Sequence, residues 1–165
     1  MNNYPLSELL MGIAQISIAF VGFSAIVEVV RDRTQHERSQ FENMLARTMI
    51  EFGFQALFLA LLPLIVFRYV PDQSPVVWRG LLALAVAALG GQFLIYMRRR
   101  TRVEQPTFLM PRVFVGWAGA SALIVLSAFA GLAGLIPVDA AYVAILVWLL
   151  ISGSISFIVI VSVLD

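Results

Sequence analysis

The chain has 165 residues and a formal net charge of +1, and 61% of its residues are hydrophobic while only 13% are charged. Soluble domains are about 45–50% apolar and about 25% charged, so this composition excludes an ordinary soluble domain and indicates a polytopic membrane protein. Cysteine is absent and His36 is the only histidine. Because a metal or haem site needs several convergent ligands, we expect neither a metal nor a cofactor.

Five apolar segments are each long enough to cross the hydrocarbon core of a bilayer, which takes about 20 helical residues. In chain order they cover residues 6–30, 38–69, 75–98, 110–136 and 140–164. The first apolar run outlasts that of a secretory signal and has no small-residue cleavage site, so it is interpreted as an anchor. The sequence therefore predicts an all-α membrane bundle of five transmembrane helices in a single domain, residues 1–165.

The first segment carries Gln15 inside it and Glu28 at its far end. It also has small residues at spacings of three and seven: Gly12, Ala19, Gly22 and Ala25. Small residues let helix backbones approach closely in membranes, so we expect this face to meet another helix.

The second segment is the one long apolar stretch with charge inside it. Arg47, Glu51 and Gln55 follow one another at a spacing of four, which places them on one face of a helix. Pro63 lies deep in the same segment and removes one backbone hydrogen bond. We therefore expect a kink there, with the freed carbonyl group satisfied by a neighbour.

Arginine supplies every basic residue of the chain, and its placement is asymmetric. Nine of the 11 basic residues fall on one side of the predicted topology: Arg31, Arg33, Arg38, Arg47, Arg98, Arg99, Arg100, Arg102 and Arg112. Arg68 and Arg79 fall on the other side. The positive-inside rule then places the N-terminus outside and the C-terminus inside.

Two interpretations of the intramembrane polar residues stay open. Glu28, Arg47 and Glu51 lie at similar depth near the inner edge of the membrane, and they form either a structural ion-pair network or part of an aqueous vestibule with Gln55 and Gln15. In the second case a ring of carboxylates around an oligomer axis selects cations. A hydrophobic constriction would then come from Phe54, Phe58 and Leu62, which lie near the helix face that carries Arg47, Glu51 and Gln55.

The remaining polar residues receive structural or topological interpretations. Gln15 and Gln92 are expected to make hydrogen bonds between helices, and the serines of the fifth segment to bond to their own helix backbone. The basic run of Arg98, Arg99, Arg100 and Arg102 is expected to contact anionic lipid headgroups, not nucleic acid.

Two stretches carry a resemblance to known proteins: ISIAFVGFSAIVEVV at 16–30, with its A-F-x-G-F core, and LFLALLPLI at 57–65, with its L-L-P-L segment. Over about the first 70 residues the chain resembles small multi-pass inner-membrane proteins of bacteria. The resemblance implies a location in the bacterial inner membrane, and it implies no activity and no functional residue.

A five-helix chain of 18.2 kDa has little interior of its own, so we expect a homo-oligomer, for which closed cyclic symmetry is the default. The leading hypothesis is an ion channel or pore-like transport protein with the second helix near the axis. The alternative is a non-conducting scaffold or sensor subunit that docks an unidentified cytoplasmic or membrane protein. The sequence has no catalytic triad, metalloprotease motif or phosphate-binding loop, so we do not expect an enzyme.

Overall fold

The computed structural model describes the backbone of residues 6–34, 40–70, 74–101 and 110–162. Within these ranges the side chains of residues 27, 28, 30–34, 40–42, 100, 110–114 and 160–162 are not described. The described residues form five helices: α1 (Ser7–Thr34), α2 (Gln40–Tyr69), α3 (Pro75–Arg100), α4 (Met110–Leu132) and α5 (Val138–Ser162). The described ranges contain no strand.

All five helices contain a segment that is long and apolar enough to cross a membrane. These segments are Ser7–Ile26, Asn43–Tyr69, Pro75–Arg99, Val115–Leu132 and Val138–Val159. The prediction of an all-α fold with five helices long and apolar enough to span a membrane is therefore confirmed for the described residues. The helices alternate in direction, so Glu51 lies near one end of the bundle, called here the Glu51 end. Tyr69 lies near the other, called the Tyr69 end.

Helix α4 ends four residues earlier than the sequence predicts, at Leu132 and not at residue 136. Gly134 adopts a φ of 78°, a left-handed conformation that costs glycine no steric penalty. Its N–H donates to the carbonyl of Gly131 at 3.0 Å, and the N–H of Leu135 donates to the carbonyl of Ala130 at 2.8 Å. This paired arrangement is a Schellman motif, which satisfies the last carbonyls of α4 and turns the chain towards α5.

Helices α2 and α5 occupy the centre of the bundle. α5 contacts each of the other four helices, and α2 contacts α1, α3 and α5. The main core is a cluster of apolar side chains from all five helices, among them Leu10, Phe52, Leu82, Ala128 and Ile145. A second, smaller cluster of Met44, Leu45 and Ala46 lies at the Glu51 end, where Tyr96 and Val159 pack against it.

Two glycines let helices α2 and α5 approach α1 closely around Phe20. A Cβ atom added to Gly153 of α5 would lie 2.8 Å from Phe20 Cε1, and one added to Gly53 of α2 would lie 2.5 Å from Val21 Cγ2 and 3.3 Å from Phe20 Cδ1. The ring therefore fills a slot that exists because both facing residues lack side chains.

The small-residue face predicted to pack on α1 is not covered within one chain. Positions 12 and 22 have nothing within 4 Å of where a Cβ would stand, and Ala19 and Ala25 are exposed. α1 instead uses its buried serines at the bundle interface. Ser17 and Ser24 are nearly inaccessible, and each donates its hydroxyl hydrogen to the carbonyl four residues earlier.

The proline of α2 is compensated by a residue from another helix. Pro63 is fully buried, as is Tyr142 of α5. An N–H at position 63 would normally donate to the carbonyl of Leu59, and proline has none. The hydroxyl of Tyr142 donates to that same carbonyl at 2.6 Å. The prediction that a neighbour satisfies the freed carbonyl is confirmed, and α2 continues to Tyr69.

Candidate functional site

The polar residues that the sequence singles out meet between α2 and α3 at the Glu51 end. Glu51 is half-buried and accepts four hydrogen bonds. Arg99 of α3 donates from Nη1 to Oε2 at 2.8 Å and from Nη2 to Oε1 at 2.9 Å. Gln92 of α3 donates from Nε2 to Oε2 at 2.9 Å, and Arg47 of α2 donates from Nε to Oε1 at 3.0 Å. We call this arrangement the Glu51 clamp.

The helix geometry explains why these four side chains converge. Arg47 and Glu51 are one turn apart on α2, so they share a face. Gln92 and Arg99 are seven residues apart, about two turns, so they share a face of α3. Because arginine has a planar fork of donors, Arg99 can pair with both oxygens of a carboxylate at once.

The depth of the clamp in the membrane follows from helix rise. Glu51 precedes Tyr69 by 18 residues, which is about 27 Å at 1.5 Å per residue. Since the hydrocarbon core is about 30 Å thick, a bundle with Tyr69 at one interface has Glu51 at the edge of the other. The clamp therefore places charge where it is less costly than at the membrane centre.

The clamp leaves positive charge at its surface. The side chains of Glu51 and Arg99 are each 26% exposed, whereas that of Arg47 is 70% exposed. Arg98 is exposed as well. The described side chains at this end carry three guanidinium groups and one carboxylate, which is a net charge of +2. A cationic surface of this kind attracts anionic groups.

Several predicted site residues lie elsewhere or do not join the clamp. Oε1 of Gln55, one turn along α2 from Glu51, is buried and has no hydrogen-bond partner among the described residues. Gln15 is exposed on α1. The side chains of Glu28 and Arg100, together with Arg102 and His36, lie outside the part of the chain that the structure describes.

The predicted constriction residues differ in exposure. Phe54 and Phe58 are 55% and 62% exposed on the outer face of α2. Leu62 is partly buried and packs against the main core. Phe54 and Phe58 are therefore the two of these residues most available to a neighbouring molecule or lipid.

Two polar predictions outside the charged residues are confirmed. Gln92 makes the interhelical hydrogen bond expected of it. In α5, Ser154 and Ser156 donate to the carbonyls of residues 150 and 152 at 2.9 and 3.0 Å. Ser152 has a different role, because its hydroxyl oxygen accepts a hydrogen bond from Trp117 Nε1 of α4 at 3.1 Å.

Sequence reasoning assigned Arg99 to lipid headgroups, whereas its guanidinium group pairs with Glu51. The sequence did contain a signal for this pairing: Gln92 and Arg99 are seven residues apart, which places them on one polar face of α3 that can meet the polar face of α2. Chemically, the clamp neutralises Glu51 and joins α2 to α3.

Comparison of the chain with models of protein families, with curated proteins and with solved structures found no match.

Proposed function

We propose that the protein is a self-associating, non-conducting membrane scaffold that docks a partner at its Glu51 end. One observation carries this proposal: both oxygens of Glu51 already accept hydrogen bonds from arginines of its own chain. A ring of carboxylates concentrates cations only where the negative charge is uncompensated. The clamp thus favours a structural role for Glu51 over ion selection, and we propose no catalytic activity.

The outer face of α2 supports self-association. Phe54, Phe58 and Ile65 are each more than half exposed at spacings of four and seven residues, the spacing of a seam between two helices. Because the chain has no cysteine, single-cysteine variants report this contact without background. Phe58→Cys should form a disulfide-linked dimer in the membrane, and Leu123→Cys on the exposed face of α4 should form much less. Equal cross-linking at both positions would point to random collision.

The orientation follows the arginine distribution, and we propose an outside N-terminus, an inside C-terminus and a location in the bacterial inner membrane. The partner is then a cytoplasmic or membrane protein with acidic groups, and anionic headgroups contact Arg98 at the same surface. A reporter domain fused after residue 165 should be active only on the cytoplasmic side. Activity on the opposite side would reverse the assignment.

Flux through reconstituted vesicles tests the absence of conduction. Purified protein in proteoliposomes should give K⁺ and Cl⁻ fluxes equal to those of protein-free vesicles, and Glu51→Gln should leave them unchanged. The cross-linking assay above, applied to the same vesicles, ensures that the assembled form is measured. A wild-type flux above background that Glu51→Gln alters would overturn the proposal.

An ion channel remains a second candidate because Arg47 lies at the base of the face that carries Phe54 and Phe58. If copies met around an axis through this face, the exposed guanidinium groups would form a ring. Rings of arginine favour anions in pores, and aromatic constrictions can gate by dewetting. This function predicts a Cl⁻ flux that Arg47→Gln reduces, with little K⁺ flux.

A further inference from the structure

A lateral groove lies between α3 and α4. Its volume is about 380 Å³, within the range of about 300–1,000 Å³ typical of ligand pockets. Phe52 of α2 and Trp148 of α5 form its floor. Small residues line it on both helices, namely Gly90 of α3 and Ala118 and Ala122 of α4, and a Cβ added to Gly90 would meet nothing within 4 Å.

The length of the groove matches one leaflet of a bilayer. At the Glu51 end it begins beside the rings of Tyr96 and Trp117, which pack against each other with centroids 5.6 Å apart. Along α3 it extends to Val86, ten residues away, or about 15 Å at 1.5 Å per residue. This is about half of the roughly 30 Å hydrocarbon core, so the groove ends near the membrane midplane.

The mouth of the groove combines aromatic rings with nearby positive charge. Trp117 and Tyr96 are the residue types that mark the membrane–water interface. Arg99 follows Tyr96 by one helical turn on α3. It belongs to the end of the bundle where the described side chains carry a net charge of +2.

One polar atom lines the otherwise apolar interior. The hydroxyl oxygen of Ser121 is buried and has no hydrogen-bond partner among the described residues. Ser121 lies one turn of α4 closer to the membrane midplane than Trp117, near the depth at which the ester groups of a lipid meet its acyl chains. An unpaired buried hydroxyl is costly, so a ligand with an acceptor at this depth would be favoured.

We propose that the groove binds one acyl chain of a phospholipid with an anionic headgroup, from the leaflet at the Glu51 end. The chain lies between α3 and α4, an ester carbonyl accepts the hydrogen bond of Ser121, and the phosphate lies towards the arginines. The apolar lining alone would accept the chain of any lipid, and the net positive charge of the described side chains at the Glu51 end favours the anionic class. This site does not depend on whether the assembly conducts ions.

Tryptophan quenching by brominated lipids tests the site, because Trp117 and Trp148 line the groove. The full chain is reconstituted in phosphatidylcholine vesicles in which one-tenth of the lipid is chain-brominated, as phosphatidylglycerol in one sample and as phosphatidylcholine in the other. Brominated phosphatidylglycerol should quench more strongly, with a preference on the order of tenfold in apparent binding. Equal quenching by the two lipids would overturn the proposal.

Two variants that fill the groove and one matched control variant test where the lipid binds. Ala122→Phe places a ring in the groove and should abolish the preference, and Ala118→Phe should do the same from the next turn. Ala87→Phe makes the same exchange at an exposed position of α3 outside the groove lining and should keep the wild-type preference. Far-UV circular dichroism verifies that each variant is folded. Retention of the preference by both folded groove variants would show that the lipid binds elsewhere.

Discussion

The hydrogen bond between Tyr142 and the carbonyl of Leu59 gives the sharpest test of the fold. Tyr142→Phe removes the donor and keeps the ring, whose edge contact with Trp78 at 5.7 Å needs no hydroxyl. The carbonyl of Leu59 would then be buried without a partner, because Pro63 supplies no N–H. We expect a loss of stability with little change in helix content.

The size of the loss follows from the cost of an unpaired buried carbonyl. Leaving one partner of a buried hydrogen bond unsatisfied costs about 1–3 kcal/mol, while interhelical hydrogen bonds in membrane proteins average about 0.6 kcal/mol, with a maximum near 1.7. We therefore expect Tyr142→Phe to lower the free energy of unfolding by about 1–2 kcal/mol. That corresponds to roughly a 5- to 30-fold larger unfolded population.

A double-mutant cycle with Pro63→Ala isolates this interaction. Alanine restores an N–H at position 63 that can donate to Leu59, so the Tyr142 hydroxyl becomes largely redundant. Unfolding in mixed micelles, followed by circular dichroism, should show a cost of Tyr142→Phe that falls by about 1 kcal/mol in the Pro63→Ala background. Tyr69→Phe, at an exposed position of α2, should have no effect in either background. An equal cost of Tyr142→Phe in both backgrounds would refute the reasoning.

Two further predictions concern the clamp and the slot for Phe20. Glu51→Gln and Arg99→Gln should each lower the free energy of unfolding by about 1–3 kcal/mol, since the first leaves Arg99 without its carboxylate and the second leaves Glu51 with the more exposed Arg47 as its remaining arginine partner. The double variant should lose less than the sum, and additive losses in the same unfolding assay would contradict the clamp. Gly153→Ala should cost about 1–3 kcal/mol because its Cβ would lie 2.8 Å from Phe20 Cε1. Gly119→Ala, which meets nothing within 4 Å, should be neutral, and equal effects at the two glycines would contradict the packing.

The sequence was sufficient to predict the helices because membrane-spanning segments are defined by length and apolarity alone. It also predicted that a neighbour would bond to the carbonyl freed by Pro63, since an unpaired carbonyl is costly in hydrocarbon. It could not identify Tyr142 as that neighbour, because 83 residues separate it from Leu59. The identity of the donor depends on how α2 and α5 are placed side by side.

The role of Arg99 shows a different limit of sequence reasoning. The positive-inside rule counts arginines in a loop and does not distinguish those at the end of a helix from those beyond it. Arg99 is still helical and points to the same side as Gln92, so it reaches Glu51 on α2. The small-residue face of α1 shows a similar limit. The spacing of the small residues predicts that they share one helix face, but it does not identify what packs against that face.

The two polar contacts of α2 together explain how its neighbours are selected. In a bilayer, apolar side chains gain little by exchanging lipid for protein, so packing alone discriminates weakly between helix arrangements. The carbonyl of Leu59 and the carboxylate of Glu51, about 12 Å apart along α2, instead require specific donors that lipid chains cannot supply. One donor comes from α5 and the other from α3, so any arrangement that exchanges these helices leaves at least one buried polar group unpaired. The fold is therefore specified at two points of α2 by polar groups, and the apolar core fills the space between them.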